Sequence, residues 1–287
     1  MSANEFEFKY GDTTVYTGMQ TPEAFPLSFT PYPEKKIRSV EEINEIIDYP
    51  GRIPARSRWG KETILNQGQR SSCNAYMAAA IWMRSNFLAT GVWVDVSPEF
   101  LYMHINGGRD QGSMLDDGMV FMTDNGMCKK DLVPYQAYRK SELSMEALRF
   151  ATQDALNQRA GECYRMPTDS VEKCWASLVS CLAGRGQVGL AVHVGNNYMR
   201  SGTMAGVDRG NGNHAIAGDD LVKLNNNPRS YEDFAIDSPQ SWGTGFADGG
   251  RTLITIKSIE QTYRVHALYG VRSVLTNPNE LSETRIR

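Results

Sequence analysis

Apolar residues recur with helical spacing through the first two thirds of the chain, and in short runs bounded by turns through the last third. The helical spacing predicts helices over residues 39–47, 73–88, 97–104, 116–124 and 170–182. The short runs, separated by Gly, Asn and Asp, predict strands over residues 188–194, 214–222, 234–237, 252–256 and 265–274. Helices followed by strands indicate an α+β chain with two lobes.

The N-terminal residues 1–52 have a different pattern. Phe6, Phe8 and Tyr10 alternate with charged residues ahead of a Gly-Asp turn and a second β-prone run, which predicts a hairpin. Prolines at 22, 26, 31 and 33 indicate an extended segment after it. The expected organisation is an N-terminal arm (1–52), one domain with a helical lobe (53–165) and a β-rich lobe (166–275), and a C-terminal tail (276–287). The arm is expected either to pack on its own domain or to dock on a protein partner.

Composition and charge narrow the function classes. A net charge of −3 and a pI of about 5.9 make nucleic acid and anionic membranes poor partners. The longest apolar run, residues 75–83, is far shorter than the ~20 residues of a membrane span, and the first residues do not resemble a signal peptide. The 5 cysteines lack metal-ligand spacing, so we expect free thiols, no metal and no cofactor. These features predict a soluble protein of the cytoplasm or of a macromolecular assembly.

One cysteine stands in a pattern suited to nucleophilic catalysis. Gln67 precedes Cys73 by six residues, and an apolar, helix-forming run follows Cys73 directly. A helix N-terminus stabilises a thiolate, and an upstream amide can donate to an oxyanion. Four histidines limit the choice of base; His214 follows Asn213 at a predicted strand start, 141 residues after Cys73, within the ~130–150 of papain-like enzymes.

These motifs, with four others in the same order, resemble the papain-like cysteine peptidases. The resemblance covers residues 53–275, and its motifs are Asn66-Gln67-Gly68 with Ser72-Cys73, Gly112-Ser113 with Asp124-Asn125-Gly126, Gly186-Gln187-Val188, His214-Ala215-Ile216, Gln240-Ser241-Trp242-Gly243-Thr244 and Ala267-Leu268-Tyr269. The resemblance implies a papain-like two-lobe fold with a cleft between the lobes. It also implies hydrolysis of peptide or protein substrates by a thiol protease.

The resemblance assigns a role to each matching position. Cys73 would be the nucleophile, His214 the general acid and base, and Gln67 a donor of the oxyanion hole. Trp242 would shield His214, with Asn213 beside it in support. The substrate-binding positions would be Gly112, Ser113, Leu115, Ala215 and Val271, the last three lining an apolar specificity pocket.

The chain departs from the family at several of these positions. Gln240 stands where the family has the asparagine that orients the histidine, and its extra methylene moves the amide oxygen by about one bond length, ~1.5 Å. Such a displacement can reduce the rate by ~10²-fold, with Asp237 as a substitute orienter. Asn74 replaces a tryptophan and Ser113 a glycine, and the family's disulfides are absent. These losses fit a bacterial or phage setting.

The departures leave two alternatives to a peptidase open. One is a papain-fold structural or binding protein with weakened catalysis, held in a larger assembly such as a phage virion through residues 1–52. The other is an acyl transferase or amidase that uses the same cysteine and histidine.

Overall fold

The structure is a computed structural model that describes residues 7–10, 13–20, 29–272 and 274–276. The helices are α1 (Val40–Asp48), α2 (Ala55–Arg58), α3 (Cys73–Thr90), α4 (Pro98–Ile105), α5 (Leu115–Asp124), α6 (Met145–Leu156), α7 (Val171–Ala183) and α8 (Ile256–Ile259). The strands are β1 (Glu7–Tyr10), β2 (Thr13–Tyr16), β3 (Met19–Gln20), β4 (Thr30–Pro31), β5 (Ser113–Met114), β6 (Gln158–Ala160), β7 (Cys163–Arg165), β8 (Gln187–Val192), β9 (His214–Gly218), β10 (Asp220–Lys223), β11 (Phe234–Pro239), β12 (Arg251–Ile254), β13 (Tyr269–Val271) and β14 (Val274–Thr276). Within the described residues, no helix is long and apolar enough to cross a membrane.

Helix α3 is the central element of the fold. Every residue from Cys73 to Asn86 is buried, because α3 packs against α4 and α5 on one side and against β8 and β9 on the other. A helix that is apolar on all faces is stable only when it is enclosed in this way. It ends at Gly91, whose φ of 75° provides the left-handed cap. The first residue of α3, Cys73, therefore lies at the boundary between the helices and the sheets.

Two sheets, in which most neighbouring strands are antiparallel, form the β-rich lobe. One has five strands in the order β4-β7-β13-β8-β9 and the other three in the order β10-β11-β12. Strand β9 passes into β10 at Asp219, whose buried carboxylate accepts from Arg84 and Arg251. The strand predicted over residues 214–222 is therefore two strands that belong to different sheets.

The N-terminal residues contribute strands to the domain that follows them. Strands β1 and β2 pair antiparallel, as predicted for a hairpin, whereas Phe6 and the Gly11-Asp12 turn lie outside the described residues. Strand β4 pairs in parallel with β7, and β3 pairs in parallel with β5. The capped helix predicted at residues 39–47 is α1, with a capping box formed by Ser39 and Glu42. Pro22 and Pro26 of the predicted extended segment lie outside the described residues. The described part of residues 1–52 packs on its own chain.

Several local predictions need correction. Helix α6, which is amphipathic and is followed almost directly by β6, was not predicted. The strand predicted over residues 265–274 begins only at Tyr269, because the stretch before it forms backbone turns after α8. The other helix predictions are confirmed to within two residues at each end.

Candidate active site

Cys73 begins α3 and is fully buried. Burial raises the pKa of its thiol, while the backbone N–H groups of Ala215 and Gly18 act in the opposite direction. Gly18 belongs to the N-terminal residues, so a distant part of the chain lies directly against the sulfur. The thiol is the stable form of Cys73 in this arrangement.

His214 begins β9, opposite Val192 of β8, and is fully buried. Its ring stacks on Trp242, with centroids 4.2 Å apart and an angle of 14° between the planes. Neither ring nitrogen of His214 has a hydrogen-bond partner within the described part of the chain. Burial lowers its pKa to about 3, so the imidazole is neutral near pH 7. The described structure thus has Trp242 stacked on His214 and no hydrogen bond between His214 and Cys73.

Both the oxygen and the nitrogen of the Gln67 side-chain amide form hydrogen bonds. Its Oε1 accepts from the Ser241 hydroxyl, and its Nε2 donates to the carbonyl of Arg70 at 2.8 Å. The second acceptor of Nε2 is the backbone carbonyl of Tyr16, at 3.1 Å. The indole N–H of Trp242 donates to the same carbonyl at 3.2 Å. The donor proposed for an oxyanion thus already binds a peptide carbonyl of the N-terminal segment.

Residues 16–20, which we call the covering segment, continue across the site in an extended conformation. The Gly18 carbonyl accepts from the N–H of Ser113 at 3.0 Å, and the N–H of Met19 donates to the Asn213 carbonyl at 3.1 Å. Gly112, with φ of 77°, lies so close that a Cβ there would overlap the Gly18 carbonyl. The covering segment is therefore hydrogen-bonded to both walls of the site.

Gln240 does not contact His214 through a hydrogen bond in this structure. Its Oε1 accepts from the Tyr198 hydroxyl at 3.1 Å, and its Nε2 donates to Ser238 Oγ at 3.0 Å. Asp237, the suggested substitute, is buried and held by Arg56 and Arg251. Within the described residues Asp237 makes no hydrogen bond to His214 either, so neither candidate orienter is hydrogen-bonded to the imidazole in this structure.

The two other departures from the family pattern contact each other. The amide of Asn74 donates to Ser113 Oγ at 3.0 Å and to the Met114 carbonyl. All of these groups lie between the start of α3 and strand β5. Asn74 and Ser113 thereby tie the substrate-binding strand to the helix that carries Cys73.

The remaining predicted positions are all in the interior. Leu115, Ala215 and Val271 are each about 1% exposed or less and belong to the main hydrophobic core. Met19 of the covering segment is part of the same core. The three residues are thus covered together with the rest of the site.

Sequence reasoning missed the covering segment and two supporting residues, Tyr198 and Ser241. Ser241 stands directly before Trp242 in the motif of residues 240–244, and that position was a usable signal. Nothing in the polar pattern of residues 16–20 pointed to Cys73. Among the described residues, no group of three or more His, Cys, Asp or Glu side chains is arranged to hold a metal ion.

Comparison with known proteins shows which solved structures have a similar fold. No protein-family model and no curated protein sequence matches the chain. Solved structures do match: xylellain, a cysteine protease from Xylella fastidiosa, aligns with a TM-score of 0.64 and 18% identity over 90% of this chain and 96% of its own. Digestive procathepsin L 3 of Tenebrio molitor aligns with a TM-score of 0.57 and 16% identity over 80% and 78%. The ragweed pollen allergen Amb a 11, a cysteine protease in its proform, gives 0.57 and 16% over 81% and 68%. The chain has the fold of the papain-like cysteine proteases, which confirms the two-lobe α+β architecture predicted from the motifs.

Proposed function

We propose that the protein is a cysteine peptidase, captured in a closed form in which residues 16–20 occupy its own cleft. The observation that carries the proposal is the hydrogen bond from Gln67 Nε2 to the Tyr16 carbonyl, 3.1 Å long. A peptide carbonyl thus accepts from the same amide N–H that, in this proposal, donates to the oxyanion of the substrate. The bonds from Ser113 and to Asn213 show that the same cleft fits extended backbone.

Catalysis requires that the covering segment leave. Solvent and substrate then reach Cys73 and His214, and the proton of the thiol passes to the imidazole. The thiolate attacks the substrate carbonyl carbon, while Gln67 Nε2 and the N–H of Cys73 stabilise the oxyanion. His214 gives its proton to the leaving amine, and a water molecule deprotonated by His214 then hydrolyses the thioester.

Gly18→Ala provides a direct test because a Cβ at this position would overlap both the Cβ and the carbonyl of Ser71. The variant should displace the covering segment while leaving the side chains of Cys73, His214 and Gln67 unchanged. We expect faster labelling of Cys73 by a thiol-reactive epoxide and faster hydrolysis of fluorogenic peptides than in the unmodified chain. Gly202→Ala, where a Cβ meets nothing within 4 Å, is the matched control.

The catalytic assignments are tested in the Gly18→Ala background. Adding Cys73→Ala should abolish labelling and hydrolysis, and adding His214→Ala should reduce hydrolysis by several orders of magnitude. The proposal fails if Gly18→Ala exposes Cys73 to a small alkylating reagent and yet shows neither epoxide labelling nor hydrolysis of any peptide in a diverse library.

One observation favours a second candidate, a binding protein with weakened catalysis. The Oε1 atom of Gln240 is already bonded to Tyr198, and His214 has no orienting partner within the described residues. In this candidate the arm serves a protein partner, and Cys73→Ala leaves biological function intact. Loss of function in Cys73→Ala, with the folded state preserved, would exclude it.

A further inference from the structure

A cavity of about 550 Å³ lies on a part of the molecule that shares no lining residue with the candidate active site. One side is formed by residues 38–59 of the N-terminal region. The other is formed by the C-terminal end of α7 and by the first residues of β8 and β10. Small-molecule sites typically enclose ~300–1,000 Å³, so this cavity has the size of a ligand site.

Positive charge is concentrated in the cavity lining. Its four arginines are Arg38, Arg52, Arg58 and Arg185. Arg52 is neutralised by an ion pair with Asp220. Within the described part of the chain, the other three have no carboxylate partner.

In the described structure, Asp219 and Asp220 of the lining form their ion pairs with arginines other than these three. Asp219 is engaged by Arg84 and Arg251, which lie outside the cavity lining, and Asp220 is engaged by Arg52. Only Glu45, which is exposed, remains. The four arginines and three acidic residues give the lining a net charge of +1, or +2 when Asp219 is assigned to Arg84 and Arg251 outside the lining.

The positive charges of Arg185 and Arg52 act on Arg58. Burial, and next the positive charge of Arg185, lowers the pKa of Arg58. Asp220 and Asp219 act on Arg58 in the opposite direction, but its pKa is still lowered, so a bound anion would further stabilise the charged guanidinium. Arg58 is also held in place by a bond to the Ile53 carbonyl and by the ring of Trp59.

Arg185 stands in a backbone conformation that favours glycine. Its φ is 65°, in the turn directly after α7, and it lies between Gly184 and Gly186. A non-glycine residue in the left-handed region costs ~1–2 kcal/mol, and such strain is typically retained where the side chain has a task. The strained turn therefore places Arg185 in the lining of the cavity.

The cavity also offers apolar and hydrogen-bonding surface. Tyr49 and Ile53 of its lining are 66% and 55% exposed, although both are large and apolar. Gln187 is 1% exposed, and its Oε1 has no hydrogen-bond partner in the described structure. A ligand with an apolar or aromatic body would cover Tyr49 and Ile53. A hydrogen-bond donor on the same ligand would bind Oε1 of Gln187.

We propose that this cavity is a binding site for a small phosphorylated molecule with an apolar or aromatic body. Arg38, Arg58 and Arg185 bind the phosphate, because planar guanidinium groups match its oxygens as bidentate donors. Tyr49 and Ile53 contact the body of the ligand. The site is independent of the proposed peptidase activity.

Binding of phenyl phosphate to the full chain tests the proposal, by calorimetry and by the shift in thermal unfolding. We expect saturable binding at millimolar concentrations or below, stronger than that of inorganic phosphate, and no binding of benzyl alcohol. Arg185→Gly relieves the backbone strain, so it should unfold at the same temperature or higher without ligand. It should nevertheless weaken phenyl phosphate binding about 10- to 100-fold, as expected for a lost charge-assisted bond.

Arg38→Gln should also weaken binding, whereas Arg149→Gln, an exposed arginine on α6 outside the lining, should not. The proposal is overturned if phenyl phosphate shows no binding at a concentration of about 10 mM, at which even a weak specific site would be occupied. It is also overturned if Arg185→Gly binds as tightly as the unmodified chain. Tighter binding of benzoate than of phenyl phosphate would assign the site to carboxylates instead.

Discussion

Acidification should open the candidate active site, because His214 is buried under the covering segment in its neutral form. Its pKa in the closed form is about 3, against 6.5 for a solvated imidazole. The closed form therefore binds fewer protons than an open form in which His214 is hydrated. Its stability relative to the open form is complete above pH ~6.5 and is lost as the pH falls from there toward 3.

The expected size of the effect follows from the two pKa values. Between pH 7 and pH 5, proton uptake by a hydrated His214 increases the ratio of open to closed molecules about 25-fold, or ~2 kcal/mol. If the open form holds a thiolate–imidazolium pair, the pKa of His214 there is higher still. In that pair, however, the imidazole proton comes from the Cys73 thiol and not from solvent, so the 25-fold figure applies to an open form in which Cys73 remains a thiol.

Hydrogen–deuterium exchange of a peptide spanning residues 13–20 measures this opening. The N–H of Met19, bonded to the Asn213 carbonyl at 3.1 Å, reports release of the covering segment. After correction for the intrinsic rate at each pH, protection should fall about 25-fold between pH 7 and pH 5. His214→Gln should remove most of this dependence, and His266→Gln, at a second buried histidine with a pKa of about 4, should retain it. Equal protection at both pH values in the unmodified chain would refute the reasoning.

Two further predictions concern the groups that hold the site. Tyr198→Phe should lower the free energy of unfolding by ~1–3 kcal/mol, because it leaves the Oε1 of buried Gln240 without its donor; a loss below ~0.5 kcal/mol in urea unfolding would contradict this. Asp219→Asn should cost ~3–5 kcal/mol, because Arg84 and Arg251 would keep buried charges without their shared carboxylate. Thermal unfolding of Asp219→Asn, compared with Asp169→Asn at an exposed ion pair, is the measurement, and equal effects would contradict the prediction.

The parts of the fold that could be predicted from sequence are those fixed by local pattern. Helix α3 follows from an uninterrupted apolar run after Cys73, and its end follows from Gly91. The split of the strand over residues 214–222 could not be predicted, because it depends on two arginines that meet Asp219 from 135 residues before and 32 residues after. Sequence pattern carries no information about such distant charge pairing.

The candidate site also contains residues that a local sequence pattern indicates and residues that it does not. Cys73, Gln67 and Trp242 were found because each stands in a short motif whose spacing has a chemical reason. The covering segment was not found, because its contacts with Gln67 and Asn213 are made by backbone groups. Any extended residues can make such bonds, so residues 16–20 need no distinctive composition to occupy the cleft.

The residues that depart from the family pattern form hydrogen bonds with other polar side chains of the site. Asn74 and Ser113 are each unusual alone, yet the hydrogen bond between them joins α3 to β5. Gln240 is likewise paired with Tyr198, which occupies the amide oxygen that an orienting residue would offer to His214. An amide oxygen has two lone pairs, so it can accept from Tyr198 and from an imidazole N–H together. A Gln240→Asn variant therefore does not simply restore the family residue, because the shorter side chain also withdraws the acceptor from Tyr198. The contribution of Gln240 is best measured as a double-mutant cycle with Tyr198→Phe, in which a coupling near zero would mean that the two residues act independently.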